Sequence, residues 1–239
     1  MSILNTQVSQ LIDEQRDSLA IGIMEKHYAL HPEFEERYGK KGRIKCLEDA
    51  NYHLTYLSEA IAASHPSLFA NYVAWAKVLL TGIGISAQDL TANLEIVRDV
   101  LTEKLPEEME LLINEYIDEG LTQLPSLPSK LPTCIEEAEP HANLAQQYLD
   151  TLLRGERHIA SRLILDAVNK DKISVKDIYL HVFQSSQYEI GRLWQMNKIS
   201  VAQEHYCTAA TQLIMSQLYS HIFCYRKAKS YASSHLCRR

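Results

Sequence analysis

Residues 86–101 read SAQDLTANLEIVRDVL, and this stretch decides the fold class. Leu90, Leu94, Val97 and Leu101 recur at i, i+4, i+7 and i+11, a single helical stripe with no strand-like alternation. Ser86 and Asp89 open it as a capping box: the serine hydroxyl can accept from an early orphan N–H while the carboxylate three residues on reaches back. Upstream, Phe69, Val73, Ala76 and Leu80 form an equivalent stripe. Downstream, Ser174-Val-Lys-Asp177 repeats the box and Ser200-Val-Ala-Gln203 gives its glutamine form. Hairpin signals of the Asn-Gly or Asp-Gly kind are absent. The pattern predicts an all-α protein, with helices near 4–29, 43–64, 67–82, 87–104 and 107–121, then near 141–153, 156–169, 175–195 (with room for a break) and 201–223.

Prolines divide the chain. Four of the seven, Pro125, Pro128, Pro132 and Pro140, fall within LPSLPSKLPTCIEEAEP, residues 124–140. Proline removes a donor and biases its predecessor away from helix, so this stretch reads as an extended linker. The expected organisation is an N-terminal helical bundle over 1–122, a Pro-rich linker over 123–140, a four-helix bundle over 141–223 and a basic tail over 224–239. The second bundle contains an echo: Lys172-Ile-Ser-Val175 and Lys198-Ile-Ser-Val201 are the same tetrapeptide, and each suits a turn followed by a capped helix start.

The 239 residues carry 24 Lys+Arg against 30 Asp+Glu, a formal charge of −6, so no field gathers phosphates and nucleic acid is not an expected partner. Hydrophobic residues at 46% and charged ones at 23% are ordinary for a globular chain with a real core. No basic n-region precedes an apolar run at the start, and the most apolar window, Tyr72 to Ile85, is interrupted by Lys77 and too short to span a bilayer. A cytoplasmic protein without a membrane partner is expected. Five dispersed cysteines with no C-x-x-C pair read as reduced thiols and not as a zinc site. His27 and His31, at i and i+4, read as a surface pair, and no metal site is expected.

Chemistry concentrates in IGRLWQMNKISVAQEHYCTAATQL, residues 190–213. Beyond the Ser200 cap, Val201, Glu204, His205 and Thr208 share a face, while Ala202, Tyr206, Ala209 and Leu213 offer an apolar stripe to the bundle. Trp194 comes from the preceding turn. An aromatic plate beside an acid and an imidazole suits a flat, partly apolar ligand with polar substituents. Adjacent helical residues diverge by about 100°, so Glu204 and His205 are not expected to converge on each other.

Gly191, Trp194, nine residues and then Glu204-His205 resemble the W-x9-E-H signature of the helical cap in adenosylcobalamin-binding photoreceptor regulators. The wider stretch, roughly 140–223, is similar to the helical module that precedes the cobalamin-binding domain of methionine synthase and corrinoid methyltransferase proteins. The N-terminal half is similar to helical regions ahead of such caps in bacterial proteins. The resemblance implies a four-helix cap over the upper face of a corrin ring, in a cobalamin-binding sensory or regulatory module that is not an enzyme. By motif position, Trp194 packs against the upper axial group, Val201 against the corrin, and Glu204 and His205 line the adenosyl pocket. In that family light breaks the cobalt–carbon bond, and the histidine at the position of His205 can approach the cobalt.

The sequence also departs from that family. It contains no D-x-H-x-x-G, the motif whose histidine is the lower cobalt ligand, and no helix-turn-helix with a basic recognition helix within residues 1–60. The expectations that follow are a truncated relative supplying only the cap, with weak or lost cobalamin affinity; an α/β cobalamin domain or signalling protein acting in trans; or a homo-oligomer.

Two further readings remain. A corrin-free helical interaction or signalling module fits the same pattern. Tyr52, His53, Tyr56, Phe69, Tyr72 and Trp75 are dense enough to line a haem or tetrapyrrole pocket with His53 as axial ligand, although an aromatic core explains them as well. Lys40-Lys41-Gly42-Arg43 reads as a solvated turn, and Gly82-Ile-Gly84 as a helix stop before the Ser86 cap.

Overall fold

A computed structural model describes residues 3–222. Among them there are ten α-helices and no strand, as the helical periodicity dictates. The expected basic tail, 224–239, with Phe223, Cys224 and Cys237, lies outside the described residues. The chain divides into two compact units, Met1–Lys130 and Leu131–Arg239.

The first unit holds α1 (Ile3–Leu30), α2 (Glu33–Ala62), α3 (Pro66–Gly82), α4 (Ala87–Lys104) and α5 (Glu110–Gln123). Helix α1 packs mainly on α2, and α3 on α5. Both predicted stripes, Phe69-Val73-Ala76-Leu80 and Leu90-Leu94-Val97-Leu101, are buried in one core. Ser86 completes its capping box with Asp89. Helix α3 stops in a Schellman motif: Gly84 sits at φ 90°, and the N–H groups of Ile85 and Gly84 return to the carbonyls of Leu80 and Thr81.

Helix α2 begins ten residues before its expected start, and Lys40–Arg43 lie inside it and not in a turn. A single residue, Gly39 at φ 54°, ψ −153°, takes up the break that the glycines suggested, as a kink. Within the helix, position 42 suits glycine because an added Cβ would lie 2.8 Å from the Tyr28 hydroxyl and run into Tyr38. Lys77, which interrupts the apolar window of α3, is buried, and its ammonium donates to the carbonyls of Leu124 and Leu127 at 2.8 and 2.6 Å. No helix among the described residues is long and apolar enough to cross a membrane.

The second unit holds α6 (Ala142–Leu153), α7 (Arg157–Asn169), α8 (Val175–Asp177), a π-helical stretch (Ile178–Phe183), α9 (Gln184–Gln195) and α10 (Val201–Gln217). The expected helix over 175–195 is therefore continuous but changes winding inside, with Ile178, Val182 and Phe183 turned into the core. Both copies of the repeated tetrapeptide cap a helix, since Ser174 and Ser200 accept from the N–H groups of Asp177 and Gln203. The Pro-rich stretch is anchored at both ends: Leu124 is buried in the core of the first unit and Ile135 in that of the second. Cys46, Cys134 and Cys207 are free thiols.

Candidate functional site

Helices α9 and α10 form an antiparallel hairpin. Asn197, at φ 54°, closes α9 in a second Schellman motif, with Asn197 and Lys198 N–H returning to the carbonyls of Trp194 and Leu193. Ile199 is buried beside it, and Ser200 then starts α10 with a complete capping box. Eight residues along each helix from this turn, Gln187 on α9 meets Thr208 on α10.

The buried face of α10 is not the one expected. Cys207, Ala210, Thr211, Ile214 and Leu218 enter the core, whereas Ala202, Ala209 and Leu213 are exposed. The two stripes are equally periodic. Thr211 lies on the buried one because the Tyr148 hydroxyl reaches it at 2.8 Å, which satisfies both groups.

The sequence-assigned residues lie on the hairpin. Trp194 is half-buried in the last turn of α9, against the core. Val201 is the first residue of α10 and is 52% exposed. Glu204 is half-buried and His205 exposed. Contrary to expectation, the Glu204 and His205 side chains do converge: the glutamate curls along the helix and its Oε2 accepts from His205 Nδ1. A carboxylate can only accept, so Nδ1 carries a proton and donates it to Glu204. This is the carboxylate–histidine arrangement that orients metal-ligating imidazoles.

Behind this pair runs a thread of polar groups that the sequence did not reveal. The Thr208 hydroxyl lies 3.0 Å from both Glu204 Oε1 and Gln187 Oε1. Gln187 Nε2 donates to Thr211 Oγ1 at 2.9 Å, and Thr211 donates to the Cys207 carbonyl, so Tyr148 must be the donor at the buried end. The available signal was the spacing of Gln187, Gly191 and Trp194 at i, i+4 and i+7, which puts all three on one face of α9. Gly191 is exposed, and an added Cβ there would meet nothing within 4 Å. The hairpin thus presents an exposed valine, a bare glycine face, a half-buried indole and an exposed imidazole. Among the described residues no three His, Cys, Asp or Glu side chains cluster to bind a metal by themselves.

A second anchor lies on the same helix. Glu189 and Arg192 form a largely buried ion pair with Nη2 to Oε1 at 2.5 Å. Glu189 Oε2 also accepts from Cys134 N–H at 2.8 Å and from Thr133 Oγ1 at 3.2 Å, while Arg192 donates to the Leu131 carbonyl at 3.0 Å. These bonds tie residues 131–134 to α9. Burial alone would raise the glutamate pKa, but the hydrogen bonds and charge of Arg192, together with those from residues 133 and 134, hold it below the usual value.

In the first unit, the aromatic residues considered for a tetrapyrrole stack on one another. Tyr56 lies on Tyr72 at 4.1 Å and Tyr72 on Trp75 at 6.4 Å between ring centroids. Of the six, His53 borders a cavity among α1–α4. It is buried, bonded through Nδ1 to the Tyr72 hydroxyl at 2.8 Å, and desolvation lowers its pKa to about 4. His27 is not on the surface as expected: it is 4% exposed and bonded to Asn93.

Residues 144–219 match the model of one protein family, described as the B12 binding domain. The matched stretch contains Trp194, Val201, Glu204, His205 and the whole α9–α10 hairpin. No curated protein and no solved structure matches the chain.

Proposed function

We propose that residues 144–219 bind cobalamin through the α9–α10 hairpin, as a cap over the upper face of the corrin, and that the chain is a sensory or regulatory module and not an enzyme. The observation that carries this reading is the similarity of the segment to the B12 binding domain, within which Glu204 orients the exposed His205. Trp194 supplies the aromatic wall for the upper axial group, and Val201 the apolar contact to the ring. Glu204, itself bonded to Thr208, holds the imidazole through Nδ1. In its adenosyl form, bound cobalamin supplies a cobalt–carbon bond that light can break.

The test is titration of the purified chain with adenosylcobalamin in the dark and after illumination. Saturable absorbance changes and a rise in Tm are expected, with both lost in Trp194→Ala and the post-illumination spectrum altered in His205→Ala. If Trp194→Ala lowers the Tm of free and cobalamin-treated protein equally, the site assignment fails. A second reading, a corrin-free helical interaction module, draws on the exposure of Ile159, Tyr188 and Leu213. It takes over if adenosylcobalamin changes neither spectrum nor Tm.

A further inference from the structure

The first unit has a half-open cavity of about 310 Å³ lined from α1, α2, α3 and α4. Its construction follows from the two glycines of α2. The Gly39 kink places Phe34 against His27, at 4.7 Å between ring centroids, and the missing Cβ of Gly42 makes room for the Tyr28 hydroxyl. Tyr28, Phe34 and Tyr38 form an aromatic wall, and Leu80, Ile83 and Leu90 an aliphatic one. The volume is at the small end of the range for ligand pockets.

Two polar groups inside this largely apolar lining are left without a partner. Asn93 gives its amide nitrogen to His27 Nδ1 at 3.2 Å, and its Oδ1 is buried with no hydrogen bond. Asp49 lines the same cavity and makes no hydrogen bond or ion pair among the described residues, since the neighbouring Lys45 is paired with Glu48. Burial and the nearby Glu48 raise its pKa to about 6. Both open groups are acceptors: Asn93 Oδ1 is buried, where an unmet acceptor is costly, and Asp49 is half-buried on the cavity lining. Among the described residues no other titratable group on the cavity, Tyr28 and Tyr38 included, makes a hydrogen bond or ion pair with Asn93 Oδ1 or Asp49. His27 and His53 are engaged through Nδ1, and Asp89 is held in the Ser86 capping box. Cys46 is a desolvated thiol raised to about 12, and Lys41 is exposed.

We propose that this cavity is a binding site for a small organic amine, whose ammonium is taken by Asp49 and whose apolar body lies between the aromatic and aliphatic walls, with Asn93 Oδ1 accepting a further N–H. An aromatic wall beside a carboxylate is what holds a desolvated cation. A carboxylate ligand is disfavoured because it would bring a third acceptor to two unmet ones. The site lies wholly within the first unit and does not depend on cobalamin.

The probes are three molecules of one shape: phenethylamine, phenethyl alcohol and 3-phenylpropionate, titrated into the full chain at pH 7.5 and followed by backbone amide shifts. Phenethylamine is expected to bind tightest, with shifts at residues 27–49 and 83–93 and none at 144–219. Asp49→Asn is expected to weaken the amine by roughly tenfold or more while leaving the alcohol unchanged. Tighter binding of 3-phenylpropionate would overturn the proposal in favour of Lys41 as the anchor. Equal binding of the amine and the alcohol, or shifts confined to other residues, would overturn it as well.

Discussion

Gln187 and Thr208 stand eight residues either side of the turn that joins their helices, and their 3.0 Å hydrogen bond fixes the register of the α9–α10 hairpin. At 1.5 Å per residue this clasp lies about 12 Å from the turn, on the far side of Gly191 from Trp194. Gln187→Leu removes an acceptor for Thr208 and a donor to buried Thr211, and is expected to cost about 1–2 kcal/mol. Urea unfolding measures the loss, and a cycle with Thr208→Val should show non-additivity of about 0.5 kcal/mol or more. Strict additivity would mean that the bond does not hold the hairpin.

The Glu189–Arg192 pair predicts a larger and pH-dependent effect. Arg192→Met leaves a buried carboxylate uncompensated and is expected to cost about 3 kcal/mol. The pKa of Glu189 is lower in the folded chain than unfolded, so its stabilisation is complete above the unfolded value, 4.5, and is lost as pH falls through the folded value. The stability gap between the natural chain and Glu189→Gln should accordingly be constant at neutral pH and close in acid. Amide exchange at Cys134, whose N–H this carboxylate accepts, reports the same loss locally. A gap that widens in acid would contradict the assignment.

The all-α class, the stripes of α3 and α4 and the serine caps were legible because each rests on contacts within one helix. Ser86, Ser174 and Ser200 all cap as their spacing implies. The face of α10 was not legible, because the choice between the Ala202 and Cys207 stripes is made by Tyr148, 63 residues from its partner Thr211. The start of α2 was hidden for a related reason. Lys-Lys-Gly-Arg is turn-like in isolation, but Arg43 lies over the Tyr28 ring at 4.4 Å and pairs with Glu35, which holds it in a helix. Of the candidate site, Trp194, Val201, Glu204 and His205 were assigned from a spacing motif. The cavity of the first unit carries no such signal, since His27, Asp49 and Asn93 come from three helices and are brought together only by tertiary packing.

Two helical glycines should respond in opposite ways to one added methyl group. Gly42→Ala drives a Cβ against Tyr38 and the Tyr28 hydroxyl and is expected to cost about 1–3 kcal/mol, because the cavity wall must shift. Gly191→Ala meets nothing and removes a flexible residue from a helix, so it should be neutral or stabilising by about 0.5–1 kcal/mol. Thermal unfolding checks both. Gly191→Leu puts a bulky side chain on this open face, and on the proposed function it should abolish the adenosylcobalamin response while the helical circular-dichroism signal is kept.

Asp49 carries a prediction about stability that is separate from any ligand. Its pKa is about 6 in the folded chain against 3.8 unfolded, so the folded state binds the proton more tightly. The destabilisation is absent below the unfolded value, where both states are protonated. It grows as pH rises between 3.8 and about 6 and is complete above that. Asp49→Asn should thus stabilise the free chain at pH 7.5 and have almost no effect at pH 3.5. His53 works in the opposite direction: its pKa falls from 6.5 to about 4 on folding, so its contribution is full above 6.5 and fades as pH drops towards 4. Each side chain must therefore be read as a difference, and unfolding free energies of the natural chain and Asp49→Asn across pH 3.5–7.5 cancel the histidine. If the substitution stabilises equally at every pH, the carboxyl is not desolvated. If it destabilises at pH 7.5, Asp49 already has a partner and the vacancy assigned to the cavity does not exist.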